Sequence, residues 1–153
     1  MEKTLDVRII ELPPAQVAAA VALGPAPEAR AIQKLCAWAE EHDLLGNHQG
    51  RVFGFNNPDP APGTSEYGYE VWMVVAPGVQ PGDEVTLKTF SGGLYAVTRC
   101  TGVENITSTW QALVDWLKSS PYQMGGHRWL EEHLDFPADA GDDFHLDLCL
   151  PVK

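Results

Sequence analysis

The sequence predicts an α+β fold, an antiparallel sheet that carries two helices on one face and leaves the other face concave. Three observations predict it. Strand-like segments come in closely spaced pairs, each pair leads into an amphipathic helical stretch, and the second half of the chain repeats the plan of the first. Gly24 and Gly102 are 78 residues apart, and so are Trp38 and Trp116. We therefore read residues 1–153 as a single domain made of a duplicated β-β-α-β-β unit, with halves of approximately 1–78 and 79–153 related by a pseudo-twofold axis.

Leu5 to Leu12 alternates apolar and polar residues as a strand does, Pro13-Pro14 turns the chain, and Gln16 to Leu23 is a second strand rich in Ala and Val. The pair is expected to form a hairpin. Pro27 suits the first turn of a helix presenting Ile32, Leu35, Cys36 and Ala39 on one side and ending near Gly46. Arg51 to Asn56 is a short strand containing Phe53 and Phe55, the Pro- and Gly-rich stretch from Asn57 to Ser65 is a loop, and Tyr67 to Val75 is a long strand. In the second half, Glu84 to Phe90 and Leu94 to Thr101 form the matching hairpin around Ser91-Gly92-Gly93, followed by a helix from about Ile106 to Ser119 with Trp110, Leu113, Val114 and Leu117 on its apolar side. After a one-residue slip, Arg51-Val52-Phe53-Gly54 aligns with Arg128-Trp129-Leu130-Glu131, and Phe144 to Leu150 is the closing strand.

Composition excludes several classes of function. With a net charge of −11 and only 10 Lys and Arg, the chain has no basic stripe to displace counterions from nucleic acid, and an anionic membrane surface would repel it. There is no apolar run of membrane-spanning length and no signal-peptide core after Met1-Glu2-Lys3-Thr4, so a soluble, cytoplasmic protein is expected. Cys36, Cys100 and Cys149 are odd in number, widely spaced and set among apolar residues, which makes them reduced packing residues. His127 and His133 flank Arg-Trp-Leu-Glu-Glu without zinc-hydrolase spacing or an evident third ligand. Neither a metal nor any other cofactor is expected.

Residues 128–134 supply the candidate site. On a strand, alternation puts Trp129, Glu131 and His133 on one face and Leu130 and Leu134 on the other, with Glu132 exposed. A carboxylate between an indole and an imidazole is an odd choice for a solvated surface and an expensive one for a dry interior, unless a positive group meets it. The same rule turns Glu70 and Trp72 away from Tyr69, Val71 and Met73, and turns His145, Asp147 and Cys149 away from Leu146 and Leu148. Glu70, Trp72, Trp129, Glu131, His133 and Asp147, with Tyr95, are thus expected to line a central cavity between the halves.

In its duplicated plan, Gly93-Leu94-Tyr95-Ala96-Val97 ending at Gly102, Trp116-Leu117, Glu131-Glu132-His133-Leu134-Asp135-Phe136-Pro137 and Leu146-Asp147-Leu148-Cys149-Leu150-Pro151-Val152, the chain resembles the GyrI-like small-molecule-binding domains. The same fold serves as the effector-binding domain of AraC- and MerR-type multidrug regulators. The resemblance implies a stand-alone domain that senses or sequesters planar lipophilic, cationic compounds, with Glu131 as the cavity acid. It also implies an alternative, a hydrolase opening strained cyclopropane-bearing xenobiotics, in which Glu131 and Glu70 would be the catalytic acid and base. His133 stands where the family has Tyr, and Asp147 where it commonly has Glu. A third role known among such domains, inhibition of gyrase through protein contact, finds no interface motif in this sequence.

Overall fold

A computed structural model describes residues 5–45, 51–57, 59, 61–136 and 145–153. Gly46, Pro137 and Phe144, used in the sequence reading, lie outside the described residues. The described elements are β1 (Arg8–Leu12), β2 (Ala15–Pro25), α1 (Glu28–Glu41), β3 (Val52–Asn56), β4 (Glu66–Val75), β5 (Thr86–Phe90), β6 (Gly93–Thr101), a short 3-10 turn (Val103–Asn105), α2 (Ile106–Lys118), β7 (Leu130–His133) and β8 (His145–Pro151). The class is α+β, as expected, and the strand ladders described below are antiparallel.

The strands find other partners than the expected hairpins. β1 pairs with β6, from Arg8 opposite Val97 to Leu12 opposite Gly93, and β5 pairs with β2, from Phe90 opposite Ala15 to Thr86 opposite Ala19. Pro13-Pro14 accounts for the first departure. Tight hairpin turns need positive φ, whereas proline fixes φ near −65° and supplies no N–H, so the chain runs on instead of folding back. Gly92 sits where the two linkers pass, with φ of 75°, and a Cβ there would overlap the Leu12 carbonyl and the Pro13–Pro14 backbone.

Two compact units result. One joins the residues up to Pro14 to Ser91–Lys153, with strand order β1-β6-β8-β7 and helix α2. The other is Ala15–Phe90, with strand order β5-β2-β4-β3 and helix α1. β1 and β5 are therefore exchanged relative to the hairpins expected from the sequence. The bounds of β1 and β5, Arg8–Leu12 and Thr86–Phe90, are offset by the same 78 residues seen in the glycine and tryptophan spacing.

Both helices form where the periodicity places them, although α1 ends at Glu41, short of the expected end near Gly46. α1 buries Ala31, Leu35, Trp38 and Ala39, a stripe turned slightly from the expected one, and packs on β2 and β4. It ends when Asp43 takes φ of 59° and Leu44 N–H bonds the Ala39 carbonyl at 2.8 Å, a left-handed C-terminal cap. α2 buries Leu113 and Leu117 against Ala96, Cys100, Leu146, Leu148, Leu150 and Val152, with Trp110 and Val114 packed at the margin. Among the described residues, no helix is long and apolar enough to cross a membrane.

Candidate functional site

In Ala15–Phe90, register fixes which side chains share a sheet face, because residues directly opposite in an antiparallel pair point the same way. Glu70 is opposite Val21 and Phe55, Trp72 is opposite Ala19 and Phe53, Lys88 is opposite Val17, and Phe90 is opposite Ala15. All of them lie on the face turned away from Tyr69, Val71 and Met73. Glu70 and Trp72 thus share one face, as alternation along β4 requires. β2 contributes only small or branched residues here, so the larger groups of β4, β3 and β5 meet above it.

They meet as an aromatic group around one carboxylate. The Trp72 ring stands edge-on to Phe55, with centroids 4.8 Å apart and planes at 78°, and lies 5.7 Å from Phe90, which is 6.1 Å from Phe53. Glu70 is 1% exposed. Its Oε2 accepts from Trp72 Nε1 at 2.6 Å and from Lys88 Nζ at 2.7 Å, and its Oε1 accepts from Asn57 Nδ2 at 2.9 Å. Burial pushes the Glu70 carboxyl up, but the hydrogen bonds from Lys88, Trp72 and Asn57 outweigh it and hold the group below the usual glutamate value. At neutral pH the site is a buried, ionised carboxylate.

The other unit holds a related arrangement on Asp147. Asp147 is opposite Arg99 and Glu132, and one step along the same face β1 supplies Arg8. Arg8 Nη2 reaches Asp147 Oδ2 at 2.8 Å and Arg99 Nε reaches Oδ1 at 2.6 Å, and this ion pairing keeps the Arg8 guanidinium above its ordinary pKa. Tyr95 is on this face too. It is fully buried, its hydroxyl donates to the Arg128 carbonyl at 2.7 Å, its ring meets His127 edge-on, and burial raises its pKa far above that of a free phenol.

The residues from 129 to 133 are placed differently from the sequence expectation. Glu132, not Glu131, is opposite Asp147, and Glu132 is buried rather than exposed. Glu131 is opposite Leu148 and His133 is opposite Leu146, so both lie on the face packed by α2. Trp110 of α2 donates from Nε1 to Glu131 Oε2 at 3.4 Å, and Trp129 stacks obliquely on Trp110 with centroids 5.2 Å apart. The sequence alignment of the two halves offers a signal for this placement. The one-residue slip that aligns Glu131 with Gly54 also aligns Asp147 with Glu70, and Gly54 is opposite Val71, away from Glu70.

Lys88, Asn57 and Phe90 were not singled out from sequence. Alternation in Thr86-Leu87-Lys88-Thr89-Phe90 places Lys88 and Phe90 on one face, but nothing local says that β2 will be the partner. A groove of about 540 Å³ beside α1 includes Arg30, Lys34, Trp38 and Glu84. Its basic heads are already bonded, Arg30 to the Leu23 and Pro25 carbonyls and Lys34 to the Val21 carbonyl and Glu84, so it reads as a brace for the helix. Among the described residues, no three His, Cys, Asp or Glu side chains group closely enough to hold a metal ion.

A family model described as the GyrI-like small molecule binding domain matches residues 5–153. Among solved structures, a hydrolase from Listeria innocua is 13% identical with a TM-score of 0.71, covering 99% of this chain and 94% of that one. The EcmrR C-terminal domain is 12% identical with a TM-score of 0.71, covering 99% of each chain. SAV2435, in a structure bound to tetraphenylphosphonium, is 10% identical with a TM-score of 0.55, covering 97% of this chain and 94% of that one. No curated protein matches the chain. At these identities the structural likeness shows the fold alone.

Proposed function

Since the chain belongs to the GyrI-like small-molecule-binding domain family, we propose that it binds planar lipophilic cations against the Glu70–Trp72 face of Ala15–Phe90. The observation that carries this reading is the Glu70 carboxylate, 1% exposed and ionised beside the Trp72, Phe55 and Phe90 rings. A buried negative charge compensates the desolvation of an organic cation, and ring faces add stacking and cation–π attraction. These forces constrain charge and planarity more than substituents, so the reading is of a ligand class. A protein of the same fold binds tetraphenylphosphonium, an aromatic lipophilic cation, which agrees with that class.

Hydrolysis is the second reading, and a neighbour of the same fold is described as a hydrolase. It asks Glu70 to take or give a proton during a reaction. A carboxylate with three donors and a lowered pKa is a weak base and carries no proton to give, so the geometry supports binding over turnover.

Calorimetric titration with N-methylacridinium and with neutral acridine, on native protein and Glu70→Gln, tests the proposal. Native protein is expected to prefer the cation, and the variant to lose roughly tenfold or more in affinity for it while holding the neutral compound as before. Equal affinity of both proteins for the cation would remove Glu70 from the ligand site.

A further inference from the structure

The charge that meets Glu70 comes from an unusual distance. Lys88 is on β5 opposite Val17 of β2, and Glu70 is on β4 opposite Val21, so their backbones are separated by two strand spacings, roughly 9–10 Å, and by four positions along the strand. The long Lys88 side chain bridges that gap. It does so by leaning across β2, where Val17 and Ala19 leave the surface low.

The two partners differ in what leaving would entail. The Glu70 side chain is 1% exposed and is tied also to Trp72 and Asn57, whereas the Lys88 side chain is 43% exposed. Lys88 can swing its ammonium into water at little desolvation cost of its own, because a side chain that is 43% exposed is already partly hydrated, so the loss on separation falls on Glu70. Glu70 has no such freedom, and without a counter-charge it would be a buried unpaired carboxylate. Asp147 offers a contrast. Two guanidinium groups grip it, one on each oxygen, and both would have to leave for another cation to enter.

We propose that Lys88 is a tethered cation that occupies the Glu70 site in the unliganded protein and is displaced by ligand, so that it sets both the affinity and the charge selectivity of the site. This rests on the reading of Glu70 as the ligand acid. An incoming organic cation takes over the charge pairing at Oε2 and releases the ammonium to solvent, so the carboxylate is never left unpaired. A neutral molecule cannot make that exchange, because evicting Lys88 would strand the carboxylate. The tether also acts as a threshold, since weakly binding cations fail to compete with a lysine held at 2.7 Å.

The test compares native protein, Lys88→Met, Lys88→Arg and Glu70→Gln with the acridine pair, and follows the lysines of the native protein after reductive ¹³C-methylation, which keeps their charge. Lys88→Met is expected to bind N-methylacridinium roughly tenfold more tightly than native protein and neutral acridine within about twofold of it. The Lys88 methyl resonance, identified by its absence in Lys88→Arg, is expected to move toward the position of the exposed lysines as the cation saturates. The resonance readout stands even where the Met variant folds poorly. If native binding depends on Glu70 yet Lys88→Met binds no more tightly, or the Lys88 resonance stays put at saturation, the tether is refuted and the ligand site survives. If no protein binds the cation in a Glu70-dependent way, the ligand site is refuted and the tether with it.

Discussion

Replacing Glu70 by Gln changes almost no volume and removes one charge, so its effect on stability can be worked from the three contacts it breaks. The carboxylate accepts from Trp72, Lys88 and Asn57 at 2.6, 2.7 and 2.9 Å. A glutamine offers one oxygen and one NH₂, so a donor group now faces another donor in a place that is 1% exposed. Lys88 can turn to water, which leaves the loss to Trp72 or Asn57. One unsatisfied buried donor, together with weaker neutral hydrogen bonds at the remaining contacts, comes to about 2–3 kcal/mol. For a chain of this size that is a fall in Tm of roughly 5–10 °C. The pH dependence carries a sign that volume effects cannot imitate. The folded-state pKa of Glu70 lies below its unfolded value, so its stabilisation is fully present above the ordinary glutamate pKa and is lost as pH falls through the depressed folded value. The stability gap between native and Glu70→Gln should therefore be widest near neutrality and close in acid. Urea denaturation of both proteins across that range, followed by tryptophan fluorescence, measures it. A variant equal in stability to native near neutrality, or a gap that persists unchanged in acid, would refute the account of Glu70 as a charge held by three donors.

Two further outcomes are expected. Arg8→Gln and Arg99→Gln singly each leave the other guanidinium on Asp147 and should cost about 1 kcal/mol in urea denaturation, whereas the double variant strands a carboxylate whose side chain is 7% exposed and should cost about 3–5 kcal/mol. Strict additivity of the two would show that Asp147 does not need them. Among the cysteines, half-buried Cys36 should react with a thiol reagent in the native protein, while Cys100, whose thiol pKa is raised by burial, and Cys149 should react only in denaturant; rapid native labelling of Cys149 would contradict its burial.

Much of the fold is legible in the sequence. The helices follow from apolar spacing, and Gly24 and Gly102, at the ends of β2 and β6, take positive φ. Glu70 and Trp72 share one face by alternation alone, because β4 is long and unbroken. Glu131 was turned the wrong way for the opposite reason. Trp129-Leu130-Glu131-Glu132-His133 offers a mixture on either face, and in the structure Leu130, Glu132 and His133 are all buried, so apolar content does not identify the core side. Only register against Leu148 and Asp147 settles it.

The sequence by itself determined the local elements, the family and the small-molecule-binding class, because these rest on periodicity, glycine placement and motifs that neighbouring residues define. Tertiary structure decided which strands pair and hence which cation meets Glu70. Backbone ladder bonds are alike for any two strands, so strand choice is set by linkers and packing far away in the chain. Pro13-Pro14 and Gly92 send β1 and β5 to exchanged partners, and that exchange brings Lys88 across β2 to the carboxylate. No spacing in the chain records that contact, since residues 70 and 88 are joined only through the position of the strand between them.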